Sequence, residues 1–313
     1  MRILITGSSG FLGLTFGRIS VQAGHEVMGL GRAPQARAEW LGDYRSSGAT
    51  TENLCTNIHE FQPEVIFHGA GTASVALSFT DPSADYDGSV QLFRQVLEAM
   101  RLAGSRALLF FPSSAAVYGN PESLPVAEDA PVRPISPYGF HKAICETIAR
   151  EYAECFDLNV VSCRLFSVFG QLQQRLLVWE LFRQLNGPED SVTLEGTGNE
   201  SRDFLEGKDA VKAMLALTAG LQDAARGFRA VNLAAGIETK ISDLAFRMRD
   251  LVAPRKEIRF RGTVRKGDPL NWCADISLLK TLAPGWAATS LNEALSTCIA
   301  DWQQRSPLGH HGS

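Results

Sequence analysis

The sequence predicts an α/β fold: a doubly wound, mainly parallel sheet followed by a smaller C-terminal lobe. Three observations carry that expectation. Short apolar runs alternate with helical patterns up to about residue 170, as repeated strand–helix–strand units require. The first run, Arg2-Ile3-Leu4-Ile5-Thr6, passes straight into Gly7-Ser8-Ser9-Gly10-Phe11-Leu12-Gly13. After residue 170 the alternation loosens, and Pro188 to Ser201 is polar and glycine-rich.

Arg2 to Thr6 reads as a short buried strand, apolar and without a breaker. Glycines then fall at 7, 10 and 13, and a helical pattern follows through Phe16, Ile19 and Val21. A strand, a glycine turn and a helix N-terminus together offer backbone N–H groups and a positive dipole end to an anion. Gly7, Ser9, Gly10, Phe11, Leu12 and Gly13 are therefore the candidate cradle for a dinucleotide pyrophosphate. Their spacing is G-x-x-G-x-x-G rather than G-x-G-x-x-G. His25 to Leu30 is the second strand. A carboxylate near the end of this strand would take the ribose 2′-OH of NAD; here the strand ends in Gly31-Arg32. An arginine fork pairs with a 2′-phosphate, so Arg32 favours NADP(H) over NAD(H).

Val65 to His68 is a further strand, with His68 expected to be a core imidazole. Val90 to Ala103 is helical. Ala107 to Phe111 is a strand running into Ser113-Ser114, and a hydroxyl at that end opens onto the cofactor crevice of such a sheet. Ser136-Pro137 marks the start of a helix over Tyr138 to Phe156. Tyr138 and Lys142, four residues apart, share one helix face. An ammonium beside a phenol favours the phenolate, and such a phenol can exchange a proton with a substrate oxygen. His141 falls off that face and is expected to be solvated. Leu158 to Phe166 is a strand, Leu176 to Leu185 a helix, and Val192 to Leu194 a short strand. Val231 to Leu233 is expected to return to the sheet. The layout is then 1–170 for the dinucleotide, 171–305 mainly a substrate-binding lobe, and a disordered tail at 306–313.

The chain has 313 residues and a net charge of −4, which gives no basic surface for nucleic acid. No apolar run reaches membrane-spanning length, and the N-terminus reads as a strand, not a signal peptide. Six cysteines, at 55, 145, 155, 163, 273 and 298, lack metal-ligand spacing. Reduced thiols in a cytoplasmic protein are expected, with no metal site.

These motifs, with five more in order, resemble the extended short-chain dehydrogenase/reductase family, in particular its nucleotide-sugar epimerase, dehydratase and 4-keto-reductase branch. His68-Gly69-Ala70-Gly71-Thr72-Ala73-Ser74-Val75, with Ser78 and Asp81-Pro82, matches the family's H-x-A-A-x-x-x-V-x-x-S…D-P run. Ser113-Ser114-Ala115-Ala116-Val117-Tyr118-Gly119 matches S-S-x-x-V-Y-G. Arg164 to Gly170 matches R-x-x-N-V-Y-G. Gly196-Thr197-Gly198 with Arg202-Asp203-Phe204 and Asp209 matches the substrate-lobe pattern, and Arg265-Lys266-Gly267-Asp268 matches R-x-G-D. The resemblance implies a Rossmann domain, with Ser114, Tyr138 and Lys142 as the catalytic set. It implies cofactor contacts from Asn53, Leu54, Gly69, Ala70, Gly71, Tyr138 and Lys142. Substrate contacts fall on Ser74, Ser114, Ser167, Arg202 and Arg265, the two arginines suiting a diphosphate. It also implies a homodimer through the two helices at Val90–Ala103 and Tyr138–Phe156.

Two departures narrow the chemistry. Dehydratases of the branch carry an acidic pair just after the catalytic serine or threonine; here the positions are Ala115 and Ala116, and a methyl group can neither remove nor deliver a proton. Ser167 replaces the family's asparagine. The expected activity is hydride transfer at C4 of a nucleotide-linked sugar. Arg32 favours an NADPH-dependent 4-keto-sugar reductase; the alternative is a 4-epimerase that keeps its cofactor bound. A reductase of small aldehydes or ketones leaves the arginines without a diphosphate, and a non-catalytic dinucleotide sensor has no need of the catalytic set.

Overall fold

The computed structural model describes residues 1–221, 226–263, 267 and 269–305. Seven strands form one parallel sheet: β1 (Arg2–Thr6), β2 (Glu26–Gly31), β3 (Asp43–Ser46), β4 (Val65–His68), β5 (Leu108–Ser114), β6 (Asn159–Leu165) and, later in the chain, β10 (Phe228–Leu233). Their spatial order is β10-β6-β5-β4-β1-β2-β3, with every pairing parallel. The order reverses between β1 and β4, and ligands of such sheets bind where strand order reverses.

The strands are apolar on both faces because helices cover both. Ile3 and Ile5 of β1 join one core cluster with Leu14, Phe16, Val211 and Met214, whereas Leu4 joins the opposite cluster with Leu54, Phe93, Leu97 and Ala149. The helices concerned are α1 (Phe11–Gln22) and α2 (Thr51–Phe61), then α3 (Val75–Thr80), α4 (Pro82–Tyr86) and α5 (Leu92–Leu102). The long α6 (Pro137–Phe156) follows. Ser136 caps α6 by accepting from the Gly139 N–H at 3.2 Å, with Pro137 in the first turn. One π turn, Asp87–Gln91, joins α4 to α5.

The second half adds β7 (Ser167–Phe169), α7 (Leu176–Leu185), β8 (Ser191–Leu194), β9 (Ser201–Glu206), α8 (Gly207–Gly220), β11 (Glu238–Lys240), α9 (Ile241–Val252), β12 (Glu257–Phe260), α10 (Ser277–Leu282) and α11 (Leu291–Arg305). Two small sheets, β11-β9-β7 and β12-β8, flank a third core cluster around Phe182, Leu244, Leu295 and Trp302. β10 carries the stretch expected to rejoin the main sheet and pairs with β6. The tail at 306–313 lies outside the described residues. Among the described residues no helix is long and apolar enough to cross a membrane.

Candidate active site

One cavity of about 2070 Å³ runs from the glycine turn across the C-terminal ends of the strands into the second half of the chain. Single-ligand pockets span roughly 300–1,000 Å³, so this one has room for a dinucleotide and a second, sizeable ligand.

At one end lies the glycine turn. Gly7 has φ +71°, and a Cβ there would lie 2.4 Å from the Ala70 nitrogen. A Cβ on Gly13 would lie 2.2 Å from the Gly7 carbonyl oxygen. The two motifs at Gly7 and Gly69–Gly71 therefore pack backbone against backbone, closer than any side chain allows. Gly10 stands at the N-cap of α1 with no side chain capping the helix, so the first-turn N–H groups point to the cavity without a built-in partner. Gly7, Ser9, Gly10, Phe11 and Leu12 line the cavity, as do Gly69, Ala70 and Gly71. Gly13 supports the turn from behind. An uncapped helix N-terminus beside a glycine cradle fits the diphosphate of NAD(P).

Arg32 lines the same end, at the exit of β2, and Leu54 lies against it from α2. Arg37, which sequence reasoning missed, also lines it; its Nη1 donates to the Ser9 carbonyl at 3.3 Å while Glu39 pairs with Nη2 at 2.8 Å. Asn53 is not brought to the wall. Its amide faces the Gly48 carbonyl at 3.4 Å, and Ser47, Gly48 and Ala49 line the cavity there.

In the centre, Ser114, Tyr138 and Lys142 meet on the cavity wall. Ser114 ends β5 and its Oγ accepts the Ala116 N–H at 3.1 Å, which leaves a hydroxyl proton to donate. Lys142 is 6% exposed. Its Nζ donates to the Pro112 carbonyl at 2.8 Å and lies 5.6 Å from the centre of the Tyr138 ring. The Tyr138 N–H donates to Ser78 Oγ at 3.1 Å. Ala115 and Ala116 are buried beside Ser114.

Behind this wall lies a charged network that the sequence did not reveal. Glu146, one helical turn beyond Lys142, accepts from Arg164 Nε at 3.1 Å and Nη2 at 2.8 Å, from Ser113 Oγ at 2.7 Å and from Ser162 Oγ at 2.9 Å. Arg164 also donates to the Tyr118 hydroxyl, which donates in turn to Asn232 Oδ1 at 2.7 Å. Burial pushes the Tyr118 phenol up to about 12, so it serves here as a neutral hydrogen-bonding group. The network ties α6 to β5, β6 and β10 within one residue of Ser114. In the sequence Arg164, Ser113 and Tyr118 stood only as members of two separate motifs.

His68 is buried, as expected of a core imidazole, and its Nδ1 lies 2.7 Å from Thr6 Oγ1. Burial, aided by the Lys142 charge, lowers it to about 3, so it stays neutral. His141 departs from expectation. Its side chain is 12% exposed, and Nδ1 meets Asp85 Oδ2 at 2.5 Å. The pairing is long-range, so helix-face arithmetic could not anticipate it.

At the far end, Arg202 of β9 lines the cavity, its guanidinium 5.4 Å from the centre of the Trp272 ring and its Nη1 donating to the Ser201 carbonyl at 2.7 Å. Trp272 is held by its own indole N–H on the Gly119 carbonyl at 3.1 Å. The neighbouring Asp203 accepts backbone N–H groups of Ala235, Gly236 and Ala274. Ser74 and Ser167 also line the cavity, as do Arg175 and Arg261, two arginines with no motif to announce them. Arg265 lies outside the described residues. No metal-binding group of three acidic, His or Cys side chains occurs among the described residues.

A glycine cradle and a Ser–Tyr–Lys wall on one cavity define a dinucleotide-dependent enzyme of the doubly wound class. Comparison with known proteins makes this specific. Residues 3–234 match the model of the NAD dependent epimerase/dehydratase family, and the chain belongs to that family. A UDP-glucose 4-epimerase of Mycolicibacterium smegmatis is 30% identical over 306 residues, 90% of this chain and 96% of that protein. The crystal structure of a UDP-glucose 4-epimerase from Thermotoga maritima with UDP-glucose superposes with a TM-score of 0.87 at 25% identity, covering 97% of this chain and 99% of the other. MoeE5 in complex with UDP-glucose and NAD superposes with a TM-score of 0.85 at 27% identity, covering 97% and 99%. The protein is an NAD(P)-dependent enzyme of the nucleotide-sugar branch of the extended short-chain dehydrogenases.

Proposed function

We propose that the protein is a 4-epimerase of a UDP-linked sugar that works with a bound NAD(P). The observation that carries this reading is the cavity itself: Ser114, Tyr138 and Lys142 at its centre, the glycine cradle at one end and Arg202 stacked on Trp272 at the other. The relatives named as 4-epimerases support the epimerase over the reductase expected from Arg32. Buried alanines at 115 and 116 leave no acid pair for dehydration beside Ser114.

Gly7, Gly10 and the α1 N-terminus would hold the cofactor diphosphate, and Lys142 the ribose beside the nicotinamide. When bound, the cofactor supplies the acceptor and donor of a hydride. Tyr138 takes the proton of the sugar C4 hydroxyl during oxidation and returns it on reduction. Ser114 hydrogen-bonds the same oxygen and holds it toward Tyr138. Lys142, fixed by the Pro112 carbonyl, holds its Nζ beside the Tyr138 ring. Arg202 would hold the diphosphate of the sugar nucleotide.

Arg32 and Arg37 at the adenosine end support NADP(H), whereas the NAD in MoeE5 supports NAD(H). Heat-denaturing the purified protein and identifying the released dinucleotide tests both the reading and the cofactor. Stoichiometric NAD(P)⁺ is expected of an epimerase, and an empty protein that binds NADPH only with substrate present counts against it.

The partner of the outer face of α6 is, on this reading, a second copy of the chain. Phe140, Ile144 and Phe156 are 54%, 38% and 45% exposed along that helix. Of the apolar residues expected to face that partner from the helix before it, Val90, Phe93, Val96, Leu97 and Met100 are buried in the chain's own core, and Leu92 is half-buried.

A further inference from the structure

We propose that His141 and Asp85 form a positioning pair that ties the catalytic turn of α6 to the turn after β4, and so sets where Tyr138 stands relative to the cofactor. The inference rests on the role given to Tyr138 above.

Asp85 lies within α4 with its carboxylate 4% exposed. Both oxygens are used. Oδ1 accepts from Thr72 Oγ1 at 2.5 Å, and Oδ2 meets His141 Nδ1 at 2.5 Å. A carboxylate only accepts, so the imidazole presents Nδ1–H to it. The Thr72 hydroxyl also lies 2.7 Å from Ser89 Oγ, within the π turn. π turns are rare and concentrate at functional sites; this one places Ser89 against Thr72. Thr72 follows Gly69–Gly71 directly, the turn packed on the Gly7 backbone. His141 follows Tyr138 by one helical turn on α6.

Three side chains thus span from the helix that carries Tyr138 to the turn that would hold the cofactor. A second tie runs beside the first, from the Tyr138 N–H to the fully buried Ser78 on α3. Thr72 and Tyr138 line the cavity, whereas His141 and Asp85 stand behind it. The pair therefore acts through its neighbours and touches no reacting atom. Without the imidazole, the buried carboxylate is left one donor short, and the restraint that holds it in register with Thr72 from the α6 side is lost. Catalytic geometry tolerates little of this, since a displacement of about 1 Å can cost roughly a hundredfold.

The test compares His141→Ala, His141→Asn and Asp85→Asn. Asparagine at 141 can present an N–H in place of Nδ1. His141→Ala is expected to lower kcat on a UDP-sugar by about ten- to a hundredfold with KM held within about threefold, and His141→Asn to restore most of the loss. Hydrogen exchange of the holoenzyme reads the coupling without turnover. Segments 69–73 and 136–142 should gain exchange together in His141→Ala and Asp85→Asn, and recover together in His141→Asn. Faster exchange confined to 136–142, or unchanged kcat in His141→Ala, overturns the proposal. A wild-type protein that turns over no UDP-sugar overturns the functional reading instead, and the exchange experiment still decides the tie.

Discussion

In the proposed mechanism Tyr138 exchanges the proton, and its surroundings give the test a clean form. Its backbone is fixed through Ser78 and its ring lies beside Lys142, so removing the phenol oxygen alone should leave the wall in place. Tyr138→Phe is expected to lower kcat by about 10²–10⁴-fold, the usual worth of an acid/base step, with the dissociation constant for NAD(P) nearly unchanged. Turnover within a few-fold of wild type removes Tyr138 from the mechanism. Arg32 lends itself to an equally local test. A carboxylate there repels a 2′-phosphate and accepts from a free 2′-OH. If NADP(H) is the cofactor, Arg32→Asp should shift the NADPH-to-NADH ratio of dissociation constants by about ten- to a hundredfold toward NADH, the worth of a hydrogen bond to a charged group. An unchanged ratio in a fluorescence titration places Arg32 outside the cofactor's reach. That both residues reach the cavity wall was legible in the sequence because each belongs to a local pattern, a helix spacing or a strand end. His141 was not, because its partner lies 56 positions away and nothing in the spacing of α6 points to it.

Element by element, the sequence is legible where apolar period and turn chemistry agree. Val65–His68 and Leu176–Leu185 fall where the pattern puts them, and Ser136-Pro137 opens α6 as a cap and first turn should. The strand β3 was missed because Asp43–Ser46 is a short polar edge strand with no alternation to read. The π turn was absorbed into a longer helix from Val90, because helical period alone does not separate a π turn from an α-helix. β4 offers a measurable consequence. His68 at its end is lowered to about 3 by burial and then by Lys142, while an unfolded chain takes that proton near 6.5. Between these values the unfolded state binds more protons, so this contribution is complete above about pH 6.5 and is lost as pH falls. The loss approaches about 1.4 kcal/mol per pH unit. Asp203 works in the opposite sense. Burial raises it from 3.8 to about 6, so the fold gains from its protonation as pH falls from 6 toward 4. Comparing wild type with His68→Gln cancels Asp203. Urea titrations at stepped pH should show the wild type losing stability faster than the variant below pH 6.5, and parallel curves contradict a neutral His68 in the fold.

For the whole molecule, the seven-stranded sheet is the frame, with the cavity at its C-terminal edge lined on one side by elements from the second half of the chain. Phe140, Ile144 and Phe156 on the outer face of α6 argue for a homodimer, two-fold pairing being the commonest closed arrangement. Light scattering at micromolar concentration is expected to return twice the 34.0 kDa of the chain; a monomer mass sinks that assignment. The proposed 4-epimerisation of a UDP-sugar, with the hydride returned within each cycle, has a direct measurement. Purified protein, with no cofactor added, is incubated with UDP-glucose, UDP-galactose or their N-acetylamino counterparts, and the anomeric protons are followed by NMR alongside absorbance at 340 nm. The C4 epimer of at least one of them is expected to accumulate to equilibrium with no net change in reduced cofactor. Conversion that needs added NADPH and consumes it in step with a 4-keto sugar contradicts the proposal.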